Sequence, residues 1–582
     1  MSGSARTPFL LFVLLIVSHV GMEWRWHRVD AHLPDGDESG HLGAVELYRD
    51  IIRDRGLLEG VREAFASGSE YPPLFALAYA LPLAYLGPSA PFPAGVDGLL
   101  VFWSVVTLCA LAGLTRSVAH RCAGSGTSGR GPPAAAFLAR GRTSGGAHRV
   151  ESASTADYSA LLAAFVLVTS PLAAALSRHL MPETFLSLCV ILVLWAGVAS
   201  EGLTRPWASG AFGAAIASAL MTKQTAVLYL GAPILFFGWK GFRALPKSRS
   251  SLVLAFALGC PIPLWWLGMH WDAQRLYLTR SAAAKASISW LEAFFYHPVA
   301  LFGLGLGIFW SILFGIAVVG LIRRVFFLPL VALVVNLVIL GLVPKKYPRL
   351  DVPLIPQAAM IIGLGLMAFE PGLIRRVGGI VAVGVGVVPH LLLSFVERPR
   401  DAFWGVYRPA FFSRVDPDCP QEWIRPASRE ALGFERVLAL LKEKFPEGGW
   451  GTLVFIGIPP FPCSYETTFG WDNHLMEYLR RHGVEFSESV VIDASSGFSE
   501  EASEDDGRVG AALEEARVVI SGAPWCEAGK GEADGRGSEV AVVGTRDLFD
   551  PLCAARGSFG EGTRVDVRAG GVWFGVYVHL RR

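Results

Sequence analysis

"YPPLFALAYALPLAYLG" (residues 71–87) carries no charge over 17 residues and is long enough to be taken for a membrane span. Its reading decides the topology of everything that follows. The next hydrophilic segment, "RSVAHRCAGSGTSGRGPPAAAFLARGRTSGGAHRVESASTAD" (116–157), holds six Arg against two acids. Basic loops stay on the cytoplasmic side, so an N-terminus inside and a span at 71–87 would put this loop on the wrong side. The segment therefore reads as a helix lying in, or dipping into, the outer interface.

The rest of the chain supports that frame. Of its 582 residues 52% are hydrophobic and 17% charged, with a mean hydropathy of +0.44. Soluble domains carry about 25% charged residues, so the composition is that of a polytopic membrane protein. Apolar runs of about 17–25 residues, the length needed to cross a bilayer, occur near 7–24, 97–115, 158–176, 183–199, 206–222, 224–239, 250–268, 299–321, 325–343, 353–369 and 377–395. These eleven spans place "KGFRALPKSR" (240–249), "LIRR" (321–324) and "GLIRR" (372–376) on the same side as the Arg-rich loop. A retained first span and an N-terminus inside then put the C-terminal region, 396–582, outside. The expected fold class is mainly α, with a membrane domain over 1–395 and an extracytoplasmic α/β domain after it. In that domain "GTLVFIGIPP", "ESVVIDASS", "ARVVISGAP" and "EVAVVGTRD" read as strands, and "DNHLMEYLRRHG" as a helix closed by Gly483.

Before residue 71, "ELYRDIIRDRGLLEGVREAF" (46–65) spaces Leu47, Ile51, Leu58, Val61 and Phe65 as one helical face among charges. That pattern suits a helix lying on the interface, or one packed on an outer domain. Four cysteines (Cys109, Cys122, Cys189, Cys260) fall in spans or the inner loop. Four more (Cys419, Cys463, Cys526, Cys553) fall in the outer region, where an oxidising compartment permits up to two disulfides in any of three pairings. There is no P-loop, no GxGxxG after a strand and no internal repeat. The net charge of +1 gives no reason to expect a nucleic-acid partner.

Ionisable residues at the outer ends of the spans carry the chemistry. "SRHLMPET" (177–184) offers Arg178, His179 and Glu183, and "MTKQT" (221–225) puts Lys223 in a turn so short that it lies at membrane level. "WDAQRLYLTRSAAAK" (271–285) offers Arg275, Arg280 and Lys285, and "VPKKYPRLDVPLIP" (343–356) offers Lys345, Lys346 and Arg349. Charges at the edge of hydrocarbon are costly and face a cavity or a partner. A ring of Lys and Arg suits a lipid phosphate, whose oxygens accept charge-assisted hydrogen bonds. The competing explanation is that each cation snorkels to headgroups. On the same side "HLPDGDESGHL" (32–42) packs Asp35, Asp37 and Glu38 into four residues, either as reactive carboxylates or as a polar turn capping the next helix. Asp30, Asp35, Asp37 and His41 also offer hard ligands for a divalent metal.

The order of these motifs resembles the membrane-embedded glycosyltransferases with the GT-C fold, which include the protein O-mannosyltransferases and the lipid A aminoarabinose transferases. The resemblance covers residues 8–395 and rests on "DGDE", "YPPL" (71–74), "SRHLMPETF", "MTKQT" and "KKYPRLDVPLIP" in sequence. It implies transfer of a sugar, with inversion, from a polyprenyl-phosphate carrier to a lipid, glycan or protein acceptor on the outer face of the inner membrane. It further implies Asp37 as general base, Asp35 as its rival and Glu38 as its support. The implied donor-phosphate ligands are Lys223, Arg275, Arg280, Lys346 and Arg349; Arg178, His179 and Glu183 would position acceptor and sugar. Relatives differ in whether they use metal, so no cofactor is assigned beyond a possible divalent ion. The chain departs from the family in having Glu183 where Asp is usual and "KKYPR" where Arg precedes Tyr. "YPPL" also lacks a preceding basic residue. A transporter or flippase for lipid-linked saccharide would share the spans and the basic cavity. It predicts charges or broken helices near the midplane, often with an inverted repeat. A scaffold whose outer domain recruits a partner would leave the outer carboxylates and lysines unexplained.

Overall fold

The structure is a computed structural model that describes residues 3–29, 36–67, 71–86, 92–125, 147–283, 290–323, 328–343, 347–369 and most of 384–394. Beyond these it describes 434–444, 452–456, 488–492, 516–521, 563–569 and 572–580. Two compact units make up the chain, one chiefly Met1–Arg28 and Gly40–Asp416, the other chiefly Val29–Ser39 and Pro426–Arg582.

The first unit is helical. It opens with α1 (Gly3–Val29), α2 (Gly36–Arg55), α3 (Leu57–Ala66), α4 (Leu74–Tyr85) and α5 (Phe92–Ser125). Then come α6 (Ala147–Thr169), α7 (Pro171–Ser177), α8 (Pro182–Ala199), α9 (Pro206–Thr222), α10 (Val227–Arg243), α11 (Leu245–Gly259), α12 (Pro261–Met269) and α13 (Trp271–Ala283). After these follow α14 (Trp290–Ala300), α15 (Gly307–Arg323), α16 (Leu328–Leu342) and α17 (Ile355–Leu366). Proline sets many of the boundaries. Pro171, Pro182, Pro206, Pro261 and Pro356 each stand in the first turn of their helix, where the missing N–H costs nothing and the fixed φ starts a new helix.

Six helical segments among the described residues are long and apolar enough to cross a membrane, and eight if each of two bent pairs is one span. The bent pairs are α6 with α7, at 70°, and α14 with α15, at 110°. Eight of the eleven expected spans are therefore met. Two others form shorter apolar helices: α9 has 17 residues and α16 has 15 described residues. The last, 377–395, lies largely outside the described residues. With 12 residues, or about 18 Å, α4 is too short to span, as the loop charges require. α17 sits at the centre of the bundle, with every residue from Ile355 to Gly365 buried; a helix apolar all round has to be enclosed on all sides. Outward faces carry Phe9, Leu14, Val17, Phe256 and Leu264, each at least 55% exposed, as a lipid solvent permits.

Helices α9 and α11 cross with almost no side chain between them. A Cβ placed on Gly213 would collide with the backbone carbonyl of Ala255, and Gly259 packs back on Gly213. Small residues of this kind let backbones approach where lipid offers no hydrophobic drive. The expected interfacial face is only partly realised. The chain breaks at Gly56 (φ 93°), and Leu47 and Leu58 are exposed, while the α2 residues Val45, Tyr48 and Ile52 carry the packing.

In the second unit, a helix α18 (Phe434–Lys444) precedes strands β1 (Thr452–Ile456), β2 (Glu488–Ile492), β3 (Ala516–Ser521), β4 (Thr563–Ala569) and β5 (Val572–Leu580). The sheet order is β2-β1-β3-β5-β4. β1, β2 and β3 are parallel, and β5 runs antiparallel to both β3 and β4. The first three strands are those read from sequence; the closing β4–β5 pair was not anticipated. The expected strand "EVAVVGTRD", the expected helix "DNHLMEYLRRHG", the loop 126–146, and Cys419, Cys463, Cys526 and Cys553 lie outside the described residues. Among described residues Cys109, Cys189 and Cys260 are free thiols.

Replacing Gly213 by Val should prevent the α9–α11 approach, because the obstacle is backbone and cannot rotate away. We expect a fall in the yield of monodisperse protein from detergent, read by size-exclusion chromatography, where Gly238→Val, which meets no neighbour within 4 Å, leaves the profile unchanged.

Candidate active site

Two buried ionic networks form where helix ends meet. The first joins α1 to the α7–α8 turn. Arg178, only 2% exposed, donates from Nε to both carboxylate oxygens of Glu23 at 3.2 Å and from Nη2 to Oε1 at 3.1 Å. Its Nη1 donates to Ser394 Oγ at 3.1 Å. The guanidinium also lies 5.3 Å from the Trp26 ring, and His179 meets the same ring edge-on. Glu23 is further held 3.9 Å from His19, whose Nε2 hydrogen-bonds Ser104 Oγ at 2.7 Å. One turn beyond Glu23, His27 stands 3.3 Å from Asp97 at the start of α5. A cavity of about 30 Å³ adjoins this network, its polar wall made by His19, Ser104, Thr107, Ser177, Thr184 and Ser187. That volume and lining suit one or two waters.

The second network gathers the ends of α8 and α9 and the turn before α17. Glu183 is the second residue of α8, where a carboxylate is favoured by the helix dipole. Lys223 follows α9 in extended backbone and donates from Nζ to Glu183 Oε1 at 2.5 Å. Arg349 brings Nε to 3.8 Å from the same oxygen. Lys223 Nζ also lies 5.9 Å from the Tyr71 ring, which meets the His41 ring at 4.7 Å. His41 packs on Phe75 as well, so the start of α2 is tied to the motif "YPPL". Arg349 sits in a seven-residue 3₁₀ turn, Pro348–Leu354, pinned from two sides. Tyr229 Oη donates to the Leu350 carbonyl at 2.6 Å, and His297 Nδ1 lies 3.1 and 3.2 Å from the Asp351 carboxylate oxygens.

Several expected site residues are thus brought together, and others are not. Glu183, Lys223 and Arg349 form one cluster. Arg178 and His179 stand in the adjoining turn, with Arg178 turned inward to Glu23. Glu38 lies half-buried in the first turn of α2, and Asp37 belongs to the same turn. Arg275 is exposed on α13. The side chains of Asp37 and Arg280, and all of Asp30, Asp35, Lys285, Lys345 and Lys346, lie outside the described residues. No three His, Cys, Asp or Glu side chains among the described residues are grouped to hold a metal; of the expected set only His41 has a described side chain, and its ring packs edge-on against Tyr71 and Phe75. Sequence reasoning missed Glu23, His19, His297 and Asp351. A signal existed for the first two, since "SHVGME" places a His and an acid inside an apolar run, where ionisable residues imply a buried partner.

Helical spans, an enclosed α17 and paired ions at helix ends define a multi-pass membrane protein. Residues 143–266, which include Arg178, Glu183 and Lys223, match the profile of the dolichyl-phosphate-mannose-protein mannosyltransferase family. The whole fold matches ArnT from Cupriavidus metallidurans in the apo state, over 97% of each chain, at 13% identity and a TM-score of 0.50. The structure of the same ArnT bound to undecaprenyl phosphate matches over 97% of each chain at 11% identity and a TM-score of 0.52. No individual curated protein matches the chain by sequence. These matches bear out the resemblance read from the motifs.

Removing one side of the Arg178–Glu23 pair strands a buried charge, which costs about 3–5 kcal/mol. Arg178→Met and Glu23→Gln should therefore each lower the melting temperature in detergent, and the double variant should lose clearly less than the two losses added.

Proposed function

We propose that this protein is a glycosyltransferase that takes a sugar from a polyprenyl-phosphate carrier. The observation that carries the reading is the convergence of Lys223 and Arg349 on Glu183, inside and beside the segment that matches the mannosyltransferase profile. Two cations held side by side by one carboxylate suit the oxygens of a phosphate monoester or diester. That the related ArnT fold was solved with undecaprenyl phosphate supports a carrier of the same chemistry.

In this reading Lys223 and Arg349 bind the carrier phosphate, with Lys346, Arg275 and Arg280 as further ligands. Glu183 fixes the direction of the two cations. Arg178 and His179 hold the α7–α8 turn against Trp26, and so set the wall against which acceptor and sugar lie. The acceptor hydroxyl oxygen attacks the anomeric carbon, and the bond from that carbon to the phosphate oxygen breaks. The electron pair leaves with the phosphate, whose growing charge the fixed cations stabilise. Asp37 takes the hydroxyl proton, with Glu38 supporting it and Asp35 as the alternative base. Displacement from the opposite face inverts the anomeric centre. The acceptor is a lipid, glycan or protein at the outer face of the inner membrane; the N-terminus is cytoplasmic and the strand-bearing domain, 396–582, extracytoplasmic.

The test is transfer of label from a radiolabelled polyprenyl-phosphate-sugar pool in membranes holding matched amounts of each protein. Asp37→Asn should lower transfer by about 10²–10⁴-fold, the usual contribution of a general base, while Lys223→Met should chiefly weaken use of the donor. Equal transfer by wild type and Asp37→Asn would move the base to Asp35. No transfer by wild type from any donor, together with movement of lipid-linked sugar across vesicles, would establish the flippase instead.

A further inference from the structure

The turn that carries Arg349 is held by two residues that the transfer chemistry above does not use. A 3₁₀ run rarely exceeds three or four residues, because its hydrogen bonds are poorly aligned. Pro348–Leu354 runs for seven, with Pro353 unable to donate at all. Its support comes from outside. Tyr229, on α10, grips the Leu350 carbonyl, and His297, on α14, grips the Asp351 carboxylate. Both gripped residues directly follow Arg349.

The His297–Asp351 pair is fully buried, with both side chains at 0% exposure. A carboxylate only accepts, so the imidazole Nδ1 carries the proton between them. An apolar pair of similar volume would stabilise the core as well or better. What it would lack is direction. At three residues per turn, Arg349 and Asp351 leave the 3₁₀ axis about 120° apart, so anchoring the Asp351 carboxylate inward fixes the side from which Arg349 emerges. The anchor itself is stiff. His297 precedes Pro298 and lies one turn ahead of the π-type turn Leu301–Gly305, which packs on the Pro348–Leu354 turn and ends at the 110° bend into α15.

We propose that His297 and Asp351 are positioning residues for the donor phosphate: they lock the Pro348–Leu354 turn so that Arg349 stands beside Lys223 on Glu183. The proposal rests on the assignment of Lys223 and Arg349 to that phosphate. It makes the broken α14–α15 span part of the binding site, although neither residue touches the ligand.

The test is binding of undecaprenyl phosphate to the purified full-length protein in nanodiscs, with a melting temperature recorded for every variant. His297→Leu should weaken binding by about tenfold, a mid-range coupling for residues in one network. His297→Asn, whose amide N–H stands where Nδ1–H stood, should restore binding to within a few-fold of wild type. On an Arg349→Gln background, His297→Leu should cause no further loss. If His297→Leu does not fold, Asp351→Leu, which keeps the volume and removes the acceptor, carries the same comparison. Wild-type binding by His297→Leu where Arg349→Gln binds weakly overturns the positioning role. So does a full tenfold loss that persists without Arg349, or a fall in melting temperature with binding intact. Wild-type binding by Arg349→Gln overturns the phosphate assignment itself, and the positioning role falls with it.

Discussion

A charge inside a helical membrane bundle has to be matched by a partner delivered from another helix, because neither lipid nor a dry interior can solvate it. That requirement organises this molecule. Arg178 is tied to Glu23 across 155 positions of sequence, Lys223 to Glu183 across 40, and His297 to Asp351 across 54. Each pair fastens the end of one helix to the end of another. The pairs therefore fix which ends meet, while the apolar packing along the helices fixes how closely they run. Losing Glu23 or Glu183 would strand a cation that the surroundings cannot neutralise.

The same ends are where the chain stops being regular. Pro171 and Pro182 bracket the turn that bears Arg178 and His179, and Pro348 and Pro353 shape the turn that bears Arg349 and Asp351. Near these turns the backbone bends by 70° after α6 and by 110° after the π-type turn. Irregular backbone at membrane depth is tolerated only where protein encloses it or water reaches it. Here it is enclosed, and the polar groups it exposes are met by side chains such as Tyr229. The bends are what let residues from separate spans face one point.

Much of the architecture was legible in the sequence. Loop charge excluded a span at 71–87, and α4 is indeed too short. The motifs "SRHLMPET", "MTKQT" and "KKYPRLDV" were read as lying on one side, and their residues Glu183, Lys223 and Arg349 share one cluster. The number of full-length spans was less legible. An apolar run signals membrane depth but not where the backbone will break it, so two of the spans are bent. In the strand-bearing unit the β-branched runs revealed three of the strands but neither their parallel pairing nor the antiparallel β4–β5 pair, since a strand's direction depends on its connection.

By itself the sequence determined that this chain is a multi-pass membrane protein and which ionisable residues sit at the ends of its apolar runs. Those properties follow from local composition and from the cost of moving charge through hydrocarbon. Only the tertiary structure decided which partner each ionisable residue meets. Arg178, which looked like a candidate for ligand contact, turns inward to Glu23. Glu183, which looked like a contact for acceptor, holds two cations. His297, which belonged to no motif, meets Asp351. The physical reason is that a buried charge takes its role from its partner, and partners drawn from separate spans are assigned only when the helices pack.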